Sequence, residues 1–305
     1  MPRTIILIAC LLLTATAYAC NIPVFRYALE RWKPDACEVV IYHGGFLADD
    51  QEGFVSELKK SKHINVVMDD KTLNKEEGEP HAVVRCQVIG GEQVNVWQGK
   101  LNDLPKLNLT TSPARTELQR RLVKGDAVVW LLIESADVAK NKAVEAQLEK
   151  RFKFLASKIE LPEGIGLPGS ELFSDVPLLL QFSILKIDTN DPKEKFLVRL
   201  LTPLQREAFE AGEPLVVPVF GRGRALEVLP ANELSDQLID DLTVFLSGAC
   251  SCQVKERNPG FDLLISANWD EELFGVDGEA PADDPLHQQN PQQPKLLAIP
   301  PGRTK

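Results

Sequence analysis

A continuously apolar run at residues 126–134, Asp-Ala-Val-Val-Trp-Leu-Leu-Ile-Glu, limits the possible folds more than any other segment. It is short and rich in β-branched and aromatic residues, which is typical of a strand buried on both faces. The charged segment after it has apolar side chains at helical spacing, namely Val144, Leu148, Phe152 and Leu155. A buried strand followed by an amphipathic helix predicts an α/β unit, and the sequence contains such a unit twice.

The two halves of the sequence resemble each other around a Gly-Glu-Pro triplet, at residues 78–80 and 212–214. Each triplet opens a predicted hairpin with a glycine turn, and a Ser-capped helix follows each hairpin. A strand, a helix and a strand precede each hairpin, so the predicted order β-α-β-(α)-β-β-α resembles the thioredoxin fold. We expect two tandem thioredoxin-like domains, each a central mixed sheet flanked by helices. The alternative is that the triplet recurs by chance at two loop–strand junctions.

The expected organisation has four parts. They are a signal peptide at residues 1–19, a first thioredoxin-like domain at 20–125, a second at 126–275 that ends in a Cys-x-Cys segment, and a disordered tail at 276–305. The tail is rich in Asp, Gln, Asn and Pro, a composition that cannot bury a core.

The first twenty residues have the pattern of an export signal. Arg3 supplies a basic start, residues 5–13 are apolar, and Ala-Tyr-Ala at 17–19 is a cleavage site. The apolar run is too short to span a bilayer, so we expect a periplasmic or cell-envelope protein. Cys20, directly after the site, is a candidate for lipidation, which would be the only membrane attachment. Since Ala17 stands where lipoprotein sites usually carry Leu, ordinary cleavage without lipid fits equally well.

The charge balance argues against nucleic acid as a partner. The formal net charge is −10, and no basic stripe is present to replace phosphate counterions. The longest basic cluster, Arg120, Arg121 and Lys124, ends a predicted helix, where cations favour the helix dipole. We expect instead a protein partner in the envelope.

The residues that carry thioredoxin chemistry are absent from both halves. In that family a Cys-x-x-Cys lies between the first core strand and its helix, and the helix N-terminus activates the thiol. Here the two junctions are His-Gly-Gly-Phe at 43–46 and Glu-Ser-Ala-Asp at 134–137. The resemblance implies a cis-proline at Pro80 and at Pro214, but no catalytic residue carries over. No serine nucleophile elbow, zinc-protease or Walker motif is present, so the sequence favours a non-catalytic role.

Cleavage of the signal leaves an odd number of cysteines: Cys20, Cys37, Cys86, Cys250 and Cys252. An odd number in an oxidising compartment suggests a lipid anchor, a reactive thiol or an intermolecular bridge. The Cys-x-Cys pair, with Cys20 as a further candidate, can form an oxidising disulfide or bind a soft metal. The favoured alternative is a structural bridge from one of the pair to Cys20, Cys37 or Cys86.

Weaker candidate site residues are His43 and His81, together with Cys37 and Cys86. In a thioredoxin-like fold the two histidines would lie at the usual active corner, where a metal or acid–base role is conceivable. A histidine at a strand end is more often a polar terminator. For two other segments we predict a structural role. Gly-Arg-Gly-Arg at 221–224 is a hairpin turn, and residues 161–177 are a long surface loop.

Two signature stretches support a family resemblance. They are Cys-Asn-Ile-Pro-Val-Phe-Arg-Tyr-Ala-Leu-Glu-Arg-Trp at residues 20–32, and Gly-Ala-Cys-Ser-Cys-Gln-Val-Lys at 248–255 with Asn-Pro-Gly at 258–260. The chain resembles an uncharacterised group of exported bacterial proteins that carry both, over most of its length except the tail. The resemblance implies no known activity, cofactor or catalytic residue.

The sequence leaves two functional hypotheses. The first is a non-catalytic binding or assembly module of the cell envelope. The second is an extracytoplasmic thiol–disulfide or metal-handling protein that uses Cys250 and Cys252.

Overall fold

The structure, a computed structural model, describes residues 21–45, 47–61, 64–69 and 79–276. It is mixed α/β, with two mixed sheets flanked by helices, which confirms the fold class at that level. The predicted signal peptide, the lipidation candidate Cys20 and the predicted tail beyond residue 276 lie outside the described residues. Within those residues no helix is long and apolar enough to cross a membrane.

The first sheet has four strands: β1 (Cys37–Tyr42), β2 (Ile64–Asp69), β3 (His81–Gln87) and β4 (Gln93–Lys100). Their order across the sheet is β2-β1-β3-β4. Strands β1 and β2 are parallel, and β3 is antiparallel to both β1 and β4.

The second sheet contains β5 (Asp126–Ile133), β6 (Gln181–Ile187), β7 (Leu215–Phe220), β8 (Arg224–Ala225), β9 (Leu229–Pro230) and β10 (Phe261–Asp262). The strand order is β10-β8-β7-β5-β6, and β9 pairs with β7. Strands β5 and β6 are parallel, whereas β7 is antiparallel to β5.

The helices of the described part are α1 (Val24–Arg31), α2 (Asp49–Lys60), α3 (Pro113–Val123), α4 (Val138–Ala156), α5 (Lys195–Leu201), α6 (Arg206–Glu210), α7 (Asp236–Ser247), α8 (Cys252–Arg257) and α9 (Trp269–Phe274). Helix α2 connects β1 to β2, and α4 connects β5 to β6. Short 3₁₀ turns occur at Ile89–Gly91, Leu101–Leu107, Pro192–Glu194, Thr202–Gln205 and Ala231–Glu233.

Strand β5 is buried along its whole length, as its continuous apolar run predicted. Successive side chains point to opposite faces of a strand, so they enter two different cores. Val129, Leu131 and Ile133 belong to one apolar cluster, which α3 and α5 also enter. Val128, Trp130 and Leu132 belong to the other, which α1, α4 and α7 cover.

The two halves share one of these cores. The cluster that contains Val129 and Val217 of the second sheet also contains Val39 and Val84 of the first. In addition, α5 from the second half contacts β4 of the first sheet. The halves are therefore packed against each other through apolar side chains.

Two helices lie on the second sheet although they precede it in the chain. Helix α1 packs against α7, β5 and β7, and α3 packs against β5 and β6. The domain boundary expected at residue 125 falls between the two sheets. It would place α1 and α3 in the first domain, although both helices pack on the second sheet.

Helix α1 is buried on nearly every side, whereas its spacing predicted one buried face, lined by Phe25, Leu29 and Trp32. All residues from Val24 to Glu30 are buried, including the charged Arg26 and Glu30. Their side chains pair at 2.8 Å between Arg26 Nε and Glu30 Oε1, since isolated buried charges are costly.

Arg115, in the first turn of α3, connects the two halves to the C-terminal segment. Its buried guanidinium donates to the carbonyl of Leu109 at 2.7 Å and to that of Leu264 at 2.9 Å. It also lies over the ring of Phe196, 4.8 Å from the ring centre. Burial lowers the pKa of Arg115 to about 10, which still leaves it charged at neutral pH.

Candidate functional site

His43 and His81 lie at the same edge of the first sheet, as predicted. His43 directly follows β1, and His81 is paired with Tyr42 across the sheet. Each ring makes a local contact: Nδ1 of His43 is 2.7 Å from the Gly45 carbonyl, and Nδ1 of His81 is 2.6 Å from the Glu79 carbonyl. Because a carbonyl only accepts, Nδ1 of each ring is the donor in its contact. The hydrogen bonds of both histidines are those of polar strand terminators.

The equivalent corner of the second sheet is closed by a buried asparagine. Asn141, 6% exposed, accepts from the backbone N–H of Ser135 at 3.0 Å and donates to its carbonyl at 2.9 Å. The Ser135 hydroxyl in turn accepts from the N–H of Asp137 at 3.2 Å, and Asp137 caps α4. Lys140 and Glu213 form an ion pair nearby. The protein's own side chains therefore occupy this corner of the second sheet.

We expect Asn141→Leu to lower the free energy of unfolding by about 2 kcal/mol, because it leaves two buried backbone groups of Ser135 without partners. Urea unfolding measures the difference. Asn190→Leu, on the exposed turn after β6, is the matched control and should change stability by less than about 0.5 kcal/mol. Equal effects of the two substitutions would contradict this role of Asn141.

The prediction of a cis-proline at Pro80 and at Pro214 is wrong. No cis peptide bond occurs in the described residues, which include both Glu79–Pro80 and Glu213–Pro214. Each proline instead directly precedes a sheet strand in trans, where extended backbone suits its fixed φ. Both glutamates form ion pairs with lysines, Glu79 with Lys100 at 2.6 Å and Glu213 with Lys140.

Cys37 and Cys86 form a disulfide between β1 and β3. Both residues are nearly inaccessible, at 3% and 1% exposed, and lie on the face of the sheet that packs into the shared core. This bridge lies at the amino end of β1, whereas the histidine corner lies at its carboxyl end. The sequence placed both cysteines among the candidate thiols, and the structure gives them a structural role.

Cys250 and Cys252 lie in different environments and are not bonded to each other. Cys250 is 1% exposed and belongs to the apolar cluster under α1 and α7, whereas Cys252 is exposed at the first position of α8. One ion could not easily reach both sulfur atoms, since one is in the core and the other faces solvent. Among the described residues, no group of three His, Cys, Asp or Glu side chains is placed to hold a metal ion.

The two signature stretches meet in space. Pro23 forms an antiparallel bridge with Ala249. The Val24 N–H donates to the Gly248 carbonyl at 2.9 Å, and the Cys250 N–H donates to the Ile22 carbonyl at 2.8 Å. The N-terminal stretch is thereby joined to the segment between α7 and α8.

The turn at residues 221–224 carries two buried arginines that contact α1 and the residue segments 29–35 and 258–270. Arg222 donates to the Leu29 carbonyl at 2.8 Å and pairs with Asp270 at 2.9 Å. Arg224 pairs with both Asp35 and Asp262, each at 2.9 Å from Nη1. We call Asp35, Arg222, Arg224 and Asp262 the terminal clamp. The hairpin-turn prediction is confirmed, but the turn also joins α1 to the C-terminal segment.

The sequence did not single out the buried charged residues Arg26, Glu30, Arg115, Asp35 and Asp262. It assigned Arg222 and Arg224 only to a hairpin turn. One signal was available, since charged residues inside otherwise apolar stretches imply buried partners. The partners themselves come from distant parts of the chain and are not visible in local spacing.

No protein-family model matches the chain, and no curated protein matches its sequence at a significant level.

Proposed function

We propose that this chain is an exported, non-catalytic, tandem thioredoxin-like binding or assembly protein of the cell envelope. The observation that carries the proposal is that the first three strands of each half have the same arrangement. In each, the first strand has the second strand parallel on one side and the third antiparallel on the other, and a helix connects strands one and two. This shared arrangement supports the thioredoxin-like fold that the sequence led us to expect.

The absence of a thiol at the active corners supports a non-catalytic role. The segment between β1 and α2 contains no cysteine, and in the segment between β5 and α4 Ser135 is held by Asn141. Cys37, which forms the disulfide, is the first residue of β1. Since β1 has six residues, the disulfide lies about 17 Å from the carboxyl end of that strand. Its sulfur atoms are also too deeply buried for a substrate thiol to reach.

We propose the outer face of the first sheet as the surface for a protein partner. In β2, Asn65 is exposed and Val67 is 36% exposed. On the neighbouring strands Arg85 lies 3.4 Å from Glu38, so charged and apolar side chains alternate there. The second sheet, in contrast, has both faces of its central strand β5 fully buried.

The second candidate function, thiol–disulfide or metal handling at Cys250 and Cys252, has less support. The exposed Cys252 favours it, since a reactive thiol must be accessible. The burial of Cys250 opposes it. Lipidation of Cys20 belongs to the proposed envelope location and is tested by mass spectrometry of protein from native cells.

A reductase assay separates the two functions. With dithiothreitol as reductant, we expect the purified protein not to accelerate reduction of a disulfide substrate, and Cys250→Ser and Cys252→Ser to change nothing. Turnover that Cys250→Ser abolishes would establish the second function instead.

Binding is tested by a photo-crosslinking residue placed at Val67 in cells that make the protein. We expect a crosslinked partner in the envelope fraction from this position. The control position is Val138, which is 62% exposed at the start of α4 in the second half. No adduct from Val67, or equal adducts from both positions, would contradict a specific partner on the first sheet.

A further inference from the structure

A cavity of about 430 Å³ opens at the amino ends of β5 and β6, at the edge of the sheet opposite the closed corner. Every residue that lines it has a polar or charged side chain, although the cavity lies beside the most apolar strand of the protein. The lining residues are Arg120, Arg121, Lys124, Asp126, Gln181 and Ser183.

Asp126 is the fixed acceptor of this cavity. It is only 7% exposed, and its Oδ2 accepts from the Ser183 hydroxyl at 2.6 Å. The hydroxyl oxygen of Ser183 accepts in turn from Arg121 Nη1 at 3.2 Å, and Arg121 also donates to the Ile184 carbonyl at 2.8 Å. Oδ1 of Asp126 has no hydrogen-bond partner among the described residues. A carboxylate that lines a cavity and has one oxygen without a partner is suited to a ligand that donates a hydrogen bond.

Cations surround this acceptor. Arg120 and Arg121 share the carboxylate of Glu117, which lowers the pKa of Glu117 to about 2. Lys124 has no ion pair in the described part of the chain. The three cations Arg120, Arg121 and Lys124 exceed the carboxylates of Glu117 and Asp126 by one positive charge. The net charge of the whole chain is −10. The C-terminal dipole of α3 contributes about half a negative charge and does not cancel this excess.

We propose that this cavity binds a small oxyanion that carries its own hydrogen-bond donor, of the class of inorganic hydrogen phosphate. The phosphate oxygens would accept from Arg120, Lys124 and the Gln181 amide. The protonated phosphate oxygen would donate to Asp126 Oδ1. Ser183 and Arg121 hold Asp126 in place for this contact.

The arrangement distinguishes hydrogen phosphate from sulfate. The two ions have nearly the same shape and charge, but sulfate has no proton at neutral pH. A sulfate oxygen next to Asp126 Oδ1 could not form a hydrogen bond with it. The two negatively charged oxygens would repel each other in a partly buried site. Burial raises the pKa of Asp126, so the distinction is sharpest at about pH 8, where the carboxylate is ionised.

Calorimetric titration of the purified full chain with inorganic phosphate at about pH 8 tests the proposal. We expect saturable phosphate binding and at least tenfold weaker sulfate binding. The double variant Arg120→Gln/Lys124→Gln should bind phosphate at least tenfold more weakly than the native protein. Its matched control is Lys150→Gln/Lys153→Gln, which removes two exposed cations from the last turns of α4 and should leave binding unchanged.

Asp126→Asn tests the role of the carboxylate, because an amide can donate to either ion. This variant should bind sulfate and phosphate with similar affinity, and thermal unfolding verifies that it is folded. If Asp126→Asn does not fold, Ser183→Ala provides the second test, since loss of the Ser183 contact should reduce the preference for phosphate. Equal binding of the two ions by the native protein, equal losses in both lysine-containing double variants, or no binding of phosphate would overturn the proposal.

Discussion

We expect the contribution of the terminal clamp to the free energy of unfolding to fall by roughly 4 kcal/mol as the pH rises from about 4 to about 7. The cause is Asp262, which is buried between Arg224 and Asp35. Burial raises its pKa from 3.8 to about 7, and the nearby carboxylate of Asp35 adds to the rise while Arg224 opposes it.

The direction of this pH dependence follows from proton binding. Between the two pKa values the folded protein holds a proton on Asp262 that the unfolded chain releases. The stabilising contribution is therefore full below about pH 4 and is lost as the pH rises through about 7. Above that, Asp262 and Asp35 are both charged beside Arg224, and the neighbouring Arg222 already pairs with Asp270.

Other carboxylates change stability in the opposite direction, so the measurement compares variants rather than a single curve. Glu117, with its lowered pKa, loses its contribution in acid. The variant Asp262→Asn should remove the loss between about pH 4 and 7. Asp236→Asn, whose carboxylate is half-exposed and 3.7 Å from Arg151, should leave the curve unchanged. Parallel curves for native protein and Asp262→Asn, from urea unfolding at each pH, would contradict the prediction.

The elements of this fold were predictable because local spacing determines them. The apolar run at residues 126–134 and the helical spacing from Val144 to Leu155 each need only a few neighbouring residues to recognise. The hairpin of β3 and β4, the Ser112 cap and the Ser235 cap were predicted for the same reason.

What was not predictable depends on pairs of residues far apart in the chain. Helix α1 had one apolar face in the sequence, but it packs on a sheet that begins about a hundred residues later, so all its sides are buried. The Cys37–Cys86 bridge required the register of β1 against β3, which the spacing of cysteines does not give.

The cavity at the amino ends of β5 and β6 shows the same limit. Arg120, Arg121 and Lys124 were assigned to a helix end, and that assignment is confirmed by their place at the end of α3. Their relation to Ser183, about sixty residues away, becomes visible only when β6 pairs with β5.

The second large effect is expected at the buried pair Arg26 and Glu30. We expect Glu30→Ala to lower the free energy of unfolding by about 3–5 kcal/mol, because it leaves the Arg26 guanidinium buried without its counterion. Oε1 of Glu30 also accepts the backbone N–H groups of Phe173 and Ser174, each at 3.1 Å. Arg26 itself donates to the Ser174 carbonyl at 2.6 Å. The pair therefore fixes the loop that precedes β6 against α1, although the sequence assigned that loop to the surface.

Urea unfolding measures the loss, and limited proteolysis locates it. Cleavage between residues 161 and 180 should become faster in Glu30→Ala, since the loop loses its attachment to α1. The control is Glu57→Ala, which breaks an exposed pair with Lys60 at 2.5 Å and should cost less than about 1 kcal/mol. Adding Arg26→Leu to Glu30→Ala should restore part of the stability, because the uncompensated charge is then gone. If the double variant is instead less stable by the sum of both single losses, the cost arises from the loop hydrogen bonds and not from the buried charge.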